Sequence, residues 1–408
     1  MYKRQIFERV SQFSPRVLFE RETVTRALEA SFQQRAALLP QFSIFADQTR
    51  QKLGRGFGGG TLNSPPYNSF SAGVRGDLTL LDATTYANYR VARLEKIIAE
   101  FGYEVAYQDI LEQAVQLYFT VLRDLRRVEI VQGNIDRESD LLKLAKDQFE
   151  MGAGLKLDVT RAEVRLATQR RELMVAETQL ESSLLQMKSI LDLELDQHVA
   201  VDRRIIEEVK APPAILKYAN MESLSEGRAE LEAQISQVEQ AELAAKAATW
   251  QRLPSLSVYG QWGYESETAF DGDEQEAWLV GIQASIPLFE GGRIAAEKRE
   301  ARAAVRQSNY RMRELRLQIE QEFKFAILDM ESRYEQIEIA RDEVRLGYDE
   351  VSQAKERYRE GLADNRELID AQQRLADAEQ SHLQAIYLYG LSRLSFARAI
   401  GQVERVAE

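Results

Sequence analysis

One short stretch of this chain changes from strand periodicity to helix periodicity with no linker between the two. It runs from Ala284 to Arg293, and the apolar side chains leading into it recur at every second position: Trp278, Val280, Ile282, Ala284, Ile286 and Leu288. That period of two predicts a strand with one apolar face. Pro287 has no N–H to donate to a sheet, and Gly291 and Gly292 permit a sharp turn. The stretch therefore predicts a strand that runs directly into a long helix.

Composition favours long helices over a set of ordinary globular domains. The 408 residues include only 8 Pro and 22 Gly, and 29% are charged. A net charge of −12 gives no basic surface for nucleic acid, so no nucleic-acid partner is expected. The chain has no Cys and two distant His residues, His198 and His382, which argues against a metal site or other cofactor. No nucleophile–base set is present, so we expect no catalytic residues.

The second half of the chain repeats the plan of the first, and residues 1–408 are predicted to form a single unit. The first repeat, 1–194, contains two strands and two helices, predicted at about 41–50, 69–82, 83–150 and 158–193. The second repeat, 226–408, contains the corresponding elements, predicted at about 255–266, 277–289, 291–360 and 367–400. Residues 195–225 are predicted to form an equatorial linker segment.

The long helices also agree in register. Apolar residues seven apart form two matching series, offset by 209 residues: Ala114, Val121, Val128, Ile135, Leu142 and Phe149, then Phe323, Met330, Ile337, Val344, Val351 and Tyr358. A seven-residue apolar repeat makes helices supercoil around partner helices. A plain coiled-coil rod would explain these helices, but it would not explain four amphipathic strands.

Four amphipathic strands need a partner for their apolar face and for both sheet edges. A closed barrel needs about eight strands, so one chain is too small to form one. Three copies would supply roughly twelve strands around a channel, with the apolar face toward lipid. Aromatic residues near the strand ends suit a membrane interface: Tyr259, Trp262, Tyr264 and Trp278. The pattern alone is equally consistent with a soluble β-sandwich or an edge-paired sheet.

Several short motifs and their duplication resemble the outer membrane efflux protein (TolC-like) family. The matching segments are Leu39-Pro40, Leu253-Pro254, Pro287 to Arg293, Phe149 to Gly152 with Asp158-Val159 and Ala162, and Tyr358 to Gly361 with Asp370-Ala371. The resemblance covers nearly the whole chain. It implies a mostly α fold with a small membrane β-barrel part, to which each protomer of a homotrimer contributes four strands. It also implies long periplasmic helices that form a coiled-coil α-barrel.

The resemblance further implies function, location and partners. Proteins of this family are passive exit ducts for efflux or type I secretion. They sit in outer-membrane lipid of Gram-negative-type bacteria and receive cargo from an inner-membrane pump or secretion ATPase through a periplasmic adaptor protein. A secreted leader is then expected, yet Met1 to Gln5 are followed by no apolar core, so the signal peptide is expected to be missing from this chain. The cargo is not indicated.

Two acidic residues are the predicted pore gate. Glu367 and Asp370 lie one helical turn apart, so both carboxylates face one side of a helix. The resemblance places them in an acidic ring at the periplasmic constriction, where a trimer would gather six carboxylates. Taken without the resemblance, acids at this position are explained by a solvated helix N-terminus, where the helix dipole favours them.

The resemblance assigns two further sets of residues. Asp158 and Tyr358 match positions whose hydrogen bonds and ion pairs latch the gate, although the family's basic partner is replaced by Ala363 here; Lys156 and Arg366 are candidate substitutes. Four tip residues match positions where adaptors dock: Gly152, Ala153, Gly361 and Leu362. A glycine that ends a helix in the left-handed conformation would explain the tips without any partner.

Two functions therefore remain in competition. The leading interpretation is a trimeric outer-membrane exit duct gated at its helical tip, in which Pro287, Gly291 and Gly292 join barrel to tunnel. The alternative is a soluble coiled-coil scaffold protein with a small β-domain.

Overall fold

A computed structural model describes residues 3–52, 66–201, 211, 228–269, 272 and 274–404. Most of the predicted linker, the Gly-rich run that begins at Gly54 and part of the acidic stretch around Gly272 lie outside the described residues. The predicted division at 195–225 therefore stays a prediction.

Within the part of the chain that the structure describes, eleven elements follow the duplicated order that the sequence predicts. The first half contains α1 (Lys3–Phe13), α2 (Pro15–Ala36), β1 (Gln41–Gln51), β2 (Tyr67–Leu81), α3 (Ala83–Glu150) and α4 (Lys156–Ile190). The second half contains α5 (Ala229–Trp250), β3 (Ser255–Ser266), β4 (Gln275–Ser285), α6 (Arg293–Arg359) and α7 (Asn365–Ala399). Among the described residues, no helix is both long and apolar enough to cross a membrane.

The chain divides into two compact units. One contains residues 1–21, 102–231 and 314–408, and the other contains residues 22–101 and 232–313. The long helices α3 and α6 each contribute to both units, so neither unit is a continuous segment of sequence.

Within its described residues, the first unit is a helical assembly with three apolar clusters. The largest joins α1 to the middle of α3 and the ends of α4 and α7, around fully buried Ile6, Tyr118 and Leu394. A second cluster lies near the α3–α4 and α6–α7 turns and includes Leu141, Ala162, Tyr358 and Leu368, and the third joins α6 to α7. Seven of the twelve heptad residues belong to these clusters or pack against them. Phe149, the last member of the first series, is the one exposed member of the two series, at 44%.

The second unit contains one antiparallel sheet in the order β1-β2-β3-β4. The β2–β3 pair is central because it joins the strands of the first repeat to those of the second. Gly73 lies directly opposite Gly263 in this pair. A Cβ on Gly263 would lie 2.2 Å from the carbonyl oxygen of Ala72, so the two strands approach more closely than any side chain permits.

The two faces of the sheet differ in chemistry. Ile44, Val74, Trp262 and Trp278 form one row across all four strands and are 87%, 39%, 49% and 73% exposed. The opposite face carries polar groups, among them Arg75, whose guanidinium donates to the side chain of Gln261 at 3.2 Å. An exposed apolar row of this size is unusual for a surface that meets water.

The two strand-to-helix junctions are unlike each other. After β2, Asp82 caps α3 directly, and its carboxylate accepts from the Thr84 N–H at 2.9 Å and the Thr85 hydroxyl at 2.6 Å. After β4, residues 286–292 separate the strand from α6, and Gly291 and Gly292 adopt φ values of 60° and 89°. The predictions of a strand to 289 and a helix from 291 are corrected here. The alternation of Ile286 and Leu288 continues beyond Ser285, where pairing stops just before Pro287, which has no N–H.

Candidate functional site

Both helical hairpins end in the same backbone turn. Gly152 and Gly361 have φ values of 74° and 71°, a left-handed conformation that glycine adopts without strain. The Ala153 N–H donates to the carbonyl of Gln148 at 2.9 Å, and the Leu362 N–H donates to that of Arg357 at 2.8 Å. Each glycine also donates to the carbonyl three residues before it, so both turns are Schellman motifs. This geometry explains the two glycines as helix terminators.

The turns also present apolar side chains to solvent. Met151, Leu155 and Leu362 are 74%, 65% and 66% exposed. Nothing in helix termination requires these residues to be apolar. The predicted docking positions therefore lie at an exposed apolar surface, which is a separate property from the turn conformation.

The predicted gate residues lie in the first two turns of α7. Asp364 caps this helix by accepting from the Glu367 N–H at 3.2 Å. Glu367 and Asp370 are both exposed and, three residues apart, share a side of the helix. The cap holds the Glu367 backbone N–H, and the Glu367 carboxylate makes a separate contact.

The Glu367 carboxylate is paired with a residue that sequence reasoning missed. Arg357, in the last turn of α6, places its Nε 2.9 Å from Glu367 Oε1 across the turn. Lys156, one of the two candidate cations for the latch, lies with its Nζ 5.8 Å from the centre of the Phe149 ring. Sequence pattern could not single out Arg357, because basic residues are common in the last turn of any helix.

A second cross-helix ion pair lies beside the first. Arg374 on α7 holds Glu350 on α6 with two hydrogen bonds, of 3.0 and 2.5 Å. The bonds to Glu350 and the nearby charge of Asp370 raise the pKa of Arg374. Asp370 itself makes no ion pair within the described parts of the chain.

The predicted latch residues are close to each other but are not hydrogen bonded. The Tyr358 side chain is buried, and its hydroxyl has no hydrogen-bond partner among the described residues. Burial, and secondarily the charge of Asp158, raise the pKa of Tyr358. The Asp158 carboxylate instead lies 3.5 Å from Arg161, and its backbone carbonyl accepts from fully buried Asn365 at 3.1 Å. Asn365, which was not predicted, therefore ties the start of α7 to the start of α4.

The sequence is similar to known proteins over most of its length. It matches the family described as outer membrane efflux protein over residues 13–192 and 221–402. The chain belongs to the outer membrane efflux protein family. The matched ranges cover both predicted repeats.

Curated relatives match at low identity over long alignments. TolC of Vibrio cholerae serotype O1 is 23% identical over 414 residues, which cover 97% of this chain and 90% of that protein. The alkaline protease secretion protein AprF of Pseudomonas aeruginosa is 22% identical over 344 residues, or 81% of this chain and 69% of that protein. The solved outer membrane channel CmeC of Campylobacter jejuni shares 18% identity and a TM-score of 0.84, and the match covers 98% of this chain and 85% of that one.

Membership of this efflux family decides several predictions. The fold class is confirmed, since the helical hairpins and four-stranded sheet match those of solved channels. The location in the outer membrane and the general role of an efflux or secretion duct are also confirmed. Members of the outer membrane efflux protein family are channels, so the prediction that the chain is not an enzyme is confirmed as well. The soluble scaffold is thereby disfavoured.

Proposed function

We propose that this chain forms a homotrimeric exit duct in which three four-stranded sheets complete one barrel in outer-membrane lipid. The observation that carries the proposal is the exposed apolar face of the sheet together with its two open edges. β1 and β4 each pair on one side only within the described sheet, and unpaired strand edges seek a partner strand. Pairing β4 of one copy with β1 of the next satisfies both edges and turns the row containing Ile44 and Trp278 outward.

Exposed apolar side chains on the helices support the same assembly. On α4, Val164 and Met174 are 61% and 68% exposed; on α6, Phe325, Leu328 and Ile339 are 67%, 66% and 62% exposed. Helices that carry such residues on a surface away from their own cluster are suited to packing against another copy. A ring of three chains would cover them and form a helical tunnel in the periplasm.

The gate of this duct lies at the α6–α7 tip. Three copies would bring Glu367 and Asp370 together in a ring that attracts cations. Asp158, at the start of α4, and Tyr358, at the end of α6, are near each other and act as the latch that keeps the coils closed. A latch of this kind relies on contacts between helices that separate when the duct opens.

The partners are a periplasmic adaptor and an inner-membrane pump or secretion ATPase. The adaptor docks on the two tips, where Gly152, Ala153, Gly361 and Leu362 lie beside exposed apolar side chains. The cargo stays open, because the relatives bear names as different as alkaline protease secretion and pyoverdine export.

Membrane fractionation followed by seminative gel analysis tests the proposed assembly. The full-length gene product is expressed, and the outer-membrane fraction is extracted in detergent. We expect a band three times the 46.6 kDa of one chain, converted to monomer by boiling. A detergent-indifferent monomer in the soluble fraction would overturn the proposal.

A further inference from the structure

Five charged side chains line one strip of the α6–α7 hairpin beside the turn. On α6, Glu350 and Arg357 are two helical turns apart; on α7, Glu367, Asp370 and Arg374 follow at intervals of three and four. These spacings place the members of each helix on a single face. These five side chains are three anionic and two cationic and sum to −1 in one chain, and Arg366, four residues before Asp370, adds a positive charge nearby.

The two predicted gate acids are not equivalent in this strip. Glu367 is 2.9 Å from the Nε of Arg357 and receives a second contact from its Nη2 at 3.5 Å. Arg366 and Arg374 each lie four residues from Asp370; Arg374 is engaged by both carboxylate oxygens of Glu350, and neither arginine forms an ion pair with Asp370 inside the described chain. Asp370 is left with no ion pair inside the described chain.

We propose that Arg357 sets the cation affinity of the constriction by neutralising Glu367, which leaves Asp370 as the carboxylate that binds cations. The proposal rests on the proposed function, in which both acids face the pore. A cation that approaches Glu367 must compete with a guanidinium at hydrogen-bond distance. A cation that approaches Asp370 meets a carboxylate that has no ion-pair partner inside the described chain, with Arg374 near enough for the two charges to interact.

The pair is suited to tuning affinity because both partners remain in contact with water. The side chains of Arg357 and Glu367 are 54% and 43% exposed. Exposed ion pairs contribute little to folding stability, so Arg357 can be replaced with little effect on the fold. Its removal changes the strip from −1 to −2 in each chain, and by three charges in a trimer.

Block of single-channel current by Mg²⁺ in planar bilayers measures this affinity. We expect Arg357→Gln to lower the half-blocking Mg²⁺ concentration by about tenfold, the effect of one extra charge on a divalent ion about 6 Å away in water. Arg359→Gln is the matched control, since Arg359 is an exposed arginine of the same helical turn that makes no ion pair within the described residues. It is expected to leave the block unchanged.

The two acids provide a second comparison. Asp370→Asn alone should weaken the block by about tenfold, whereas Glu367→Gln alone should change it less than twofold, because that charge is already cancelled. In the Arg357→Gln background, Glu367→Gln should return the half-blocking concentration to its native value. Equal effects of the two acid substitutions in the native background would overturn the inference.

The failure of the inference can be told apart from the failure of the proposed gate. If Mg²⁺ blocks the variant with both Glu367→Gln and Asp370→Asn as strongly as it blocks the native channel, neither acid faces the pore and the proposed gate is wrong. If Mg²⁺ blocks that double variant only weakly but blocks Arg357→Gln and Arg359→Gln equally, the proposed gate stands and the proposed role of Arg357 is wrong. Each protein is first checked as a trimer on a seminative gel.

Discussion

At the scale of single residues, Glu138 on α3 is a carboxylate held almost entirely out of water. It is 5% exposed, and its Oε2 has no hydrogen-bond partner among the described residues. Burial raises the pKa of Glu138 above its ordinary value of 4.5, against the opposing charges of Arg165 and Arg137. Arg137 is itself engaged by Glu379 at 2.6 Å, so it cannot fully compensate the buried charge.

This buried carboxylate makes stability depend on pH in a definite direction. Because the folded state holds the Glu138 proton more tightly than the unfolded state, its contribution is fully present below pH 4.5 and is lost as the pH rises through the folded pKa. We therefore expect Glu138→Gln to raise the melting temperature at pH 8 and to change it much less at pH 4.5. Thermal unfolding in detergent at the two pH values measures the difference.

Glu163→Gln provides the control for this prediction, because the Glu163 side chain is 50% exposed and its nearest cation, Lys146, is 3.8 Å away. It should change the melting temperature little at either pH. A Glu138→Gln variant that is less stable than the native protein at pH 8 would show that the carboxylate is stabilising when charged.

The residue scale also shows where sequence reasoning reaches its limit. The sequence could predict that Glu367 and Asp370 share a helix face, because their spacing is a property of one helix. It could not predict the ion-pair partner of Glu367, since Arg357 lies ten residues away across a turn whose geometry sets the distance. The buried Asn365 was missed for a similar reason, because its partner is the backbone carbonyl of Asp158 in another hairpin.

At the scale of elements, each tip turn needs a left-handed glycine, but no other atom lies close to the position where a side chain would begin. Gly361 has a φ of 71°, yet a Cβ at this position would meet no atom within 4 Å. Substitution therefore strains the backbone by about 1–2 kcal/mol without causing a clash. The conformational role of the glycine can thus be separated from any role in docking.

The comparison of Gly361→Ala with Gly361→Trp makes that separation. Both variants should lower the free energy of unfolding in urea by the same small amount, because the strain comes from the positive φ at this position and not from the size of the side chain. Only the Trp variant should lose in-cell crosslinking to the cognate periplasmic adaptor, by at least about tenfold, since its ring covers the docking surface. Adaptor crosslinking that survives in trimers carrying Trp would place the docking surface elsewhere.

Element types were easier to predict from sequence than element ends. The change of period at Ala284 correctly separated strand from helix, and the glycines correctly marked both tips. The end of β4 was placed four residues too late because side-chain alternation reports the environment of a segment, whereas strand pairing also needs N–H donors. Phe149 continued the heptad in sequence but lies in the last helical turn, beyond the cluster.

At the scale of the whole molecule, the duplicated halves meet at the β2–β3 pair. Gly73 and Gly263 are the point of closest approach in this pair, and each occupies space that a Cβ on the other strand would enter. The sequence predicted both halves and their strands but not this contact, because strand order and register are set by pairing between distant segments. Residues about 190 apart form the contact.

Gly263→Ala should separate the two repeats within the sheet. Its methyl group would lie 2.7 Å from the Cα of Gly73, so the backbones must move apart, and we expect a loss of at least about 2 kcal/mol and far fewer trimers on a seminative gel. Gly260→Ala on the same strand is the control, since its Cβ would make an ordinary contact of 3.5 Å with the Leu279 carbonyl oxygen. Normal trimers from Gly263→Ala would contradict the importance of this close approach.

The unlike strand-to-helix junctions bear on how such a chain can change length during evolution. Between β2 and α3 only Asp82 intervenes, so one inserted residue would rotate the helix relative to the sheet by about 100° and turn its buried stripe outward. Between β4 and α6, an insertion within residues 286–292 alters only the path of a connecting segment. Natural length variation should therefore accumulate at the second junction and be purged from the first, even though the two arose from the same repeated plan.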